Sequence, residues 1–293
     1  MERILIQLDN YLIKTLAYNK QARILFVENT DLIRAVCNHD HMNKLLKTAL
    51  GKTVSIASML TGILKGTQRI SLKVKTSNHN YKIFADVDSK GNVRGYISDE
   101  LLNAPSDYLN NLSIEQLIGA RGCIQVTTDI GMNNVFTGIT DMPYGNIVDD
   151  MSHYFKQSEQ TPSWFSVHIV FNEKNEIVLS RGVMAQLLPG APVRLIHRIR
   201  NVISDHQSYL VDPENSKTFK GLPYSIFDDI DIVGIEPVRL FCGCSKEILY
   251  PMLYALDKEE LANAYENNSL LEIVCNVCGK KHTFDSSEIE SLI

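Results

Sequence analysis

Four cysteines stand in two tight pairs near the C-terminal end of the chain, Cys242-Gly243-Cys244 and Cys275-Asn276-Val277-Cys278, with thirty residues between the pairs. No other feature of the sequence constrains its folding so strongly. Zinc takes four tetrahedral ligands, and a short C-x₁₋₂-C pair lets one bend of backbone supply two sulfurs while the intervening segment folds over the ion. The spacing predicts one zinc ion held by Cys242, Cys244, Cys275 and Cys278. A structural zinc ribbon and a thiol switch use the same ligands, so the pattern alone leaves both open.

Charge is distributed unevenly around these cysteines. Residues 236–293 carry five Lys and Arg against ten Asp and Glu, which leaves 24 against 24 in the rest of the chain and places the whole net charge of −5 here. Four thiolates on one divalent cation would add about −2 more. A zinc ribbon that grips nucleic acid needs Lys and Arg to neutralise phosphates, and this balance is the opposite, so no nucleic-acid partner is expected. The 293 residues, 44% of them hydrophobic, suffice for two domains but contain no long apolar run, so no membrane partner is expected either. The opening residues, Met1 to Asp9, lack the pattern of a secretory signal, which makes a cytoplasmic location the expectation. Thiols are kept reduced there, and closely paired cysteines then bind metal or do redox chemistry rather than staple a fold.

Residues 1–187 read as a mixed α/β domain. Ile70–Val74, Tyr81–Val87 and Val93–Ile97 are short strands, with Ser89-Lys90-Gly91-Asn92 turning between the last two, so a β-meander is expected. Further strands are expected at Cys123–Thr128, Val135–Ile139, Trp164–Phe171 and Ile177–Ala185, the last two joined by Asn172 to Glu176. Apolar residues from Val54 to Leu64 cover most of a helix surface, which predicts a buried helix over 52–64 ending at Gly66. Residues 188–236 differ. After Leu188-Pro189-Gly190-Ala191-Pro192, a helix carries Leu195, Ile196, Ile199, Val202 and Ile203 on one face, and isolated helices of this length are marginal in water. The segment reads equally as a linker whose structure depends on docking and as a helical extension of the first domain. Residues 237–293 form the metal-binding segment. Cys242 and Cys244 on extended backbone would point to one face. Lys246–Leu256 and Asp257–Glu266 read as helices, the second opened by a capping box of Asp257 with Glu260, and Leu271–Cys275 as a strand with His282-Thr283-Phe284 returning. Asp285 with Glu288 repeats the capping pattern. With few large apolar side chains, this segment depends on the metal for its fold.

Other candidates carry less. Cys37, His39 and His41 form a C-x-H-x-H cluster, but alternate helical positions diverge and cannot share a face, so no metal site is expected. Cys123 reads as an ordinary buried cysteine. His282 reads as an outer contact of the metal site or a surface residue, since four sulfurs complete a tetrahedron. The chain shows neither a phosphate-binding glycine loop nor a G-x-S-x-G elbow, and a four-cysteine site lacks the open position of a catalytic zinc. A non-enzyme is expected. The competing readings are a thiol-disulfide oxidoreductase, which would turn over a dithiol substrate, and a constitutive zinc-containing interaction protein, whose activity would ignore redox state.

The C-x-C, the thirty-residue gap and the C-x-x-C together resemble the redox switch of the heat shock protein 33 family, the bacterial redox-regulated holdase chaperones. The resemblance runs over most of the chain: Leu50-Gly51-Lys52-Thr53, Lys65-Gly66, Gly91 to Tyr96, Asp149-Asp150 with Tyr154-Phe155 and Ser158 to Ser163, and Gln186 to Gly190 fall in family order. Two stretches depart from it, Ser77-Asn78-His79-Asn80 in place of a glycine-rich loop and the residues before Gly51 that carry Cys37, His39 and His41. The resemblance implies an α+β fold with a client-binding core domain (1–187), a metastable helical linker (188–236) and a C-terminal zinc-binding redox-switch domain (237–293). It also implies an ATP-independent chaperone, inactive while reduced and zinc-bound. Oxidation would pair Cys242 with Cys244 and Cys275 with Cys278, release the zinc, undock the linker and expose apolar surface to unfolding client proteins. The active form is expected to be a homodimer.

Overall fold

The chain enters its first sheet through two strands that do not alternate. β1 (Tyr11–Ala17) and β2 (Ala22–Glu28) bury nearly every side chain, the signature of a sheet covered on both faces. They are joined by residues 18–21, of which Tyr18, Asn19 and Lys20 are in the left-handed region with φ of 55°, 53° and 62°. Asp229, far along the chain, steadies that turn: its carbonyl accepts from the Tyr18 amide at 3.3 Å and its carboxylate from the Asn19 amide at 2.8 Å. The computed structural model describes residues 10–39, 42–131, 134–213, 219–275 and 281–292.

A short helix, α1 (Thr30–Val36), leads to the long α2 (Lys44–Leu60), whose first turn is capped by Asn43 accepting from the Leu46 amide at 3.0 Å. The buried helix expected over 52–64 therefore begins eight residues earlier and ends in a 3₁₀ turn at Thr61–Ile63. The meander follows: β3 (Arg69–Lys75), β4 (Lys82–Asp88) and β5 (Asn92–Ile97), each alternating buried and half-buried residues. The Ser77 to Asn80 turn is built by polar contacts. The Ser77 hydroxyl accepts from the Arg121 amide at 2.8 Å, and the Asn78 side chain accepts from the Asn80 amide at 3.1 Å. Short helices α3 (Asp99–Leu102), α4 (Ser106–Asn110) and α5 (Ile114–Ile118) precede β6 (Cys123–Asp129) and β7 (Val135–Asp141). Cys123, expected to be buried, is half-buried because β6 turns it to the less covered face of the sheet.

Asp150 of the Asp149-Asp150 motif organises the loop into α6 (Ile147–Gln157) by accepting from the amides of Tyr144 at 3.0 Å and Asn146 at 2.8 Å. Then come β8 (Ser163–Phe171) and β9 (Ile177–Leu187), followed by α7 (Arg194–Asp205), α8 (Ser208–Val211), α9 (Leu222–Ile226), β10 (Ile230–Pro237) and β11 (Arg239–Leu240). Two sheets result, in the orders β10-β1-β2-β9-β8 and β11-β5-β4-β3-β6-β7, with every pairing antiparallel except β11 on β5. The fold is α+β.

Helix α2 lies between the sheets. Its Leu46, Leu50, Val54, Ile56, Met59 and Leu60 join Leu25 and Val27 of one sheet and Leu72, Val74 and Val87 of the other in a single core. Gly95 permits the close approach of β5, since a Cβ there would collide with Val54. The opposite face of the first sheet, with Tyr11, Ile13, Ile24, Phe26, Val183, Ala185 and Leu187, packs against Leu195, Ile196, Ile199 and Ile203 of α7, then Leu210, Phe219, Leu222 and Ile226. Helices of twelve, four and five residues hold little structure alone, so their order depends on this burial. The contact pattern divides the chain into Met1–Leu240 and Phe241–Ile293, and residues 188–236 belong to the larger unit.

One titration is built into the first unit. His168, bonded to the Ser166 hydroxyl at 2.9 Å, is held below its ordinary pKa by burial and by the nearby Lys52 ammonium. Its proton is therefore bound more tightly in the unfolded chain, so its stability contribution is complete above about pH 6.5 and is lost as pH falls toward the lower folded value. Thermal midpoints of the reduced protein are expected to fall between pH 7.5 and 5, and His168→Gln should flatten that slope. An unchanged slope in the variant would assign the pH dependence elsewhere.

Candidate metal centre

In the small unit, the cysteines are placed by backbone that each pair of residues can form locally. Cys242 and Cys244 lie in irregular backbone, and Ser245 immediately caps α10 (Lys246–Leu249) by accepting from the Ile248 amide at 3.3 Å. The helix expected over 246–256 passes into a 3₁₀ stretch at Tyr250–Ala255, because Pro251 brings no amide hydrogen to an α-helical ladder. In α11 (Lys258–Glu266) the Asp257 carboxylate accepts from the Glu259 amide at 3.2 Å, one residue short of the contact that a capping box with Glu260 would use. β12 (Leu271–Val274) delivers Cys275 and pairs antiparallel with β13 (Lys281–Phe284), setting His282 opposite Ile273. The capping box of Asp285 with Glu288 opens α12 (Ser286–Ile289) as its spacing predicts.

These elements bring Cys242, Cys244 and Cys275 together, with all three sulfurs within 4.8 Å of one another and Cys242 Sγ 3.3 Å from Cys275 Sγ. Tetrahedral zinc with Zn–S bonds of about 2.3 Å places sulfurs about 3.8 Å apart, a spacing inside the 4.8 Å that bounds these three sulfurs and somewhat wider than the Cys242–Cys275 pair. Cys275 is buried and Cys242 and Cys244 are half-buried. Cys278 lies outside the described residues. His282 is buried, and its Nε2 stands 3.3 Å from Cys244 Sγ, an outer contact of the kind that orients a thiolate.

Few apolar groups support the centre. Leu249, Leu253, Ala264, Phe284 and Ile289 form the cluster against which Cys244 packs. Lys246 closes one side, its ammonium 2.6 Å from the Glu288 carboxylate and 5.2 Å from the centre of the Phe284 ring. The Lys246 hydrogen bond, with the Asp285 amide, holds the Glu288 carboxyl below its ordinary range.

Among the described residues, Cys37 and His39 belong to no cluster of three metal-ligating side chains. Cys37 follows the end of α1, buried, with its thiol 3.7 Å from the Lys47 carbonyl, and burial pushes that thiol up to about 12. His39 is exposed, and His41 lies outside the described residues. No helix among the described residues is long and apolar enough to cross a membrane.

The fold and centre define an α+β protein whose small second unit gathers thiols that could hold a metal ion. Comparison with known proteins makes this specific. The model of the family described as Hsp33 protein matches residues 10–285, and the chain belongs to the Hsp33 family. It is 30% identical over 289 residues to the 33 kDa chaperonin of Bacillus subtilis (strain 168), covering 97% of this chain and 98% of that protein. It is 27% identical over 286 residues to the 33 kDa chaperonin of Staphylococcus aureus (strain Newman), covering 97% and 98%. The crystal structure of the 33 kDa chaperonin (heat shock protein 33 homolog) of Thermotoga maritima shares the fold, with a TM-score of 0.75 at 22% identity over 97% of both chains. Family membership supports a chaperone.

Proposed function

We propose that this chain is a redox-regulated, ATP-independent holdase, with a core of residues 1–187, a docking-dependent linker of 188–236 and a zinc-binding switch of 237–293. The observation that carries the reading is the gathering of three cysteine sulfurs in a unit with too small an apolar cluster to fold on hydrophobic burial alone. Cys242, Cys244, Cys275 and Cys278 would hold one zinc ion as thiolates. When bound, the ion stabilises the small fold by on the order of 10 kcal/mol.

Oxidation acts on the sulfurs themselves. A thiolate takes an oxygen atom from hydrogen peroxide, becoming a sulfenic acid while the rest of the peroxide leaves as hydroxide. A neighbouring thiol then displaces that oxygen as water, forming a disulfide. We assign Cys242 to Cys244 and Cys275 to Cys278. Disulfide sulfur no longer serves as a thiolate ligand, so the switch unit loses its fold. The path to the linker is short, because β10 ends five residues before Cys242 and β11 ends two before it. Fraying there removes β10 from β1 and loosens the cover of helices over the first sheet. The uncovered face, with Ile13, Ile24, Phe26, Val183 and Leu187, is apolar and binds apolar surface of unfolding clients without nucleotide. The oxidised form pairs as a homodimer, and the chain works as a cytoplasmic binding protein, without enzymatic turnover.

The test follows zinc with a chromogenic chelator while peroxide and mild heat are applied, with light scattering of an aggregating client recorded on the same samples. One equivalent of zinc should leave as scattering is suppressed, and a reductant with added zinc should reverse both. Suppression of aggregation at full strength with zinc retained would overturn the reading in favour of a constitutive interaction protein.

A further inference from the structure

A fully buried arginine stands in the apolar face that the linker covers. Arg181 of β9 lies directly across from Glu28 of β2 in the strand register, and its Nε donates to the Glu28 carboxylate at 2.5 Å. Glu28 is itself fixed by the Thr30 hydroxyl. With the guanidinium so aimed, Nη1 donates to two main-chain carbonyls of the linker, Tyr209 O at 2.8 Å and Asp212 O at 3.1 Å, at the open C-terminal end of α8. The ring of Phe219 stacks on the same guanidinium, 4.9 Å from its centre, and meets Tyr11 edge-on at 6.1 Å. Nη2 is buried and finds no acceptor among the described residues.

Nonpolar surface alone accepts any apolar segment, whereas a buried guanidinium does not. Glu28 keeps the charge paired, but covering the guanidinium with a segment that offers no acceptor strands two or more of its N–H groups, which costs several kcal/mol. We propose that Arg181 sets what this face accepts: a segment that ends a helical turn with open carbonyls, or carries a carboxylate, next to an aromatic side chain. The chain's own residues 208–212 and Phe219 are the occupant in the closed form, and the partner that replaces them is a client segment of the same chemistry. Nη2, which has no acceptor among the described residues, suits a carboxylate, which accepts a fork of two parallel N–H groups. This proposal rests on the holdase reading for the identity of the partner, while the anchoring of 208–212 and Phe219 stands apart from it.

Both parts are tested on the full chain with Arg181→Met, Arg181→Lys and the charge-free double variant Glu28→Gln/Arg181→Met. In the reduced, zinc-loaded protein, amide exchange over residues 208–226 should be at least tenfold faster in all three, with β3 to β6 unchanged. Unchanged exchange over 208–226 would overturn the anchor. In the oxidised protein, a labelled peptide of residues 206–222 should bind at least tenfold more weakly to the variants than to the wild-type chain. The same peptide with Phe219→Leu should bind more weakly to the wild-type chain and lose little further affinity in Arg181→Met. Equal affinity of both peptides for every variant would overturn the selectivity. The double variant leaves no charge without a partner, so a loss it shares with Arg181→Met is not a folding defect. If oxidised wild type suppresses no client aggregation, the holdase reading fails while the exchange experiment still decides the anchor.

Discussion

Cys275→Ser is expected to abolish stoichiometric zinc binding and leave residues 241–292 exchanging their amides at near-unfolded rates even under reducing conditions. Cys275 is the most buried of the three gathered cysteines, and its sulfur lies 3.3 Å from that of Cys242. A serine hydroxyl does not ionise to match a thiolate, and the remaining apolar cluster of five buried residues is too small to hold the unit. The effect should therefore approach the whole metal contribution, on the order of 10 kcal/mol. Zinc content by mass spectrometry under native conditions and hydrogen exchange of the same sample read both consequences. The half-buried Cys123 in β6 gives the control, since Cys123→Ser should change neither. Retained zinc with a protected β12–β13 pair in Cys275→Ser would remove Cys275 from the ligand set.

Ile199→Asp is expected to produce the opposite dissociation, an active holdase that keeps its zinc. Ile199 is fully buried in the cluster that joins α7 to the first sheet. The substitution removes the packing of a large aliphatic side chain and asks a carboxylate to enter an apolar layer, a combined cost of about 4 kcal/mol or more. That is about three orders of magnitude in the docking equilibrium. Since α2 and the core between the sheets lie on the other face, the scaffold should remain folded. Light scattering of a client, with no oxidant present, is the measurement, paired with zinc quantitation. Rapid amide exchange in α7 without suppression of aggregation would show that this face is not where clients bind.

How far the sequence could be read followed from which residues have one covered face. β3, β4 and β5 alternate because solvent reaches one side of their sheet, and all three strands are found within two residues of the expected bounds. β1 and β2 gave no such signal, being buried on both sides. Their turn hid them further, since Tyr18, Asn19 and Lys20 adopt left-handed backbone without the Asn-Gly or Gly pair that marks a hairpin. β10 was missed for another reason. Its partner β1 is more than two hundred residues away, and Ile230 to Ile232 among aspartates reads as a loop until that edge is supplied. The gathering of Cys242, Cys244 and Cys275 and the N-caps Asp257 and Asp285 were legible because their chemistry is local. The Arg181–Glu28 pair was not, because only the β2–β9 register brings the two together.

The connection from β9 to α7 is six residues long, Leu188 to Val193. An undocked linker therefore remains tethered to the sheet it has left, at an effective concentration on the order of millimolar for a short tether. A client in solution at micromolar levels cannot match that while the linker is able to fold. Occupancy of the face is then governed by the foldedness of the linker more than by client affinity. In the proposed switch, restoring the thiols would return a competitor that never diffused away.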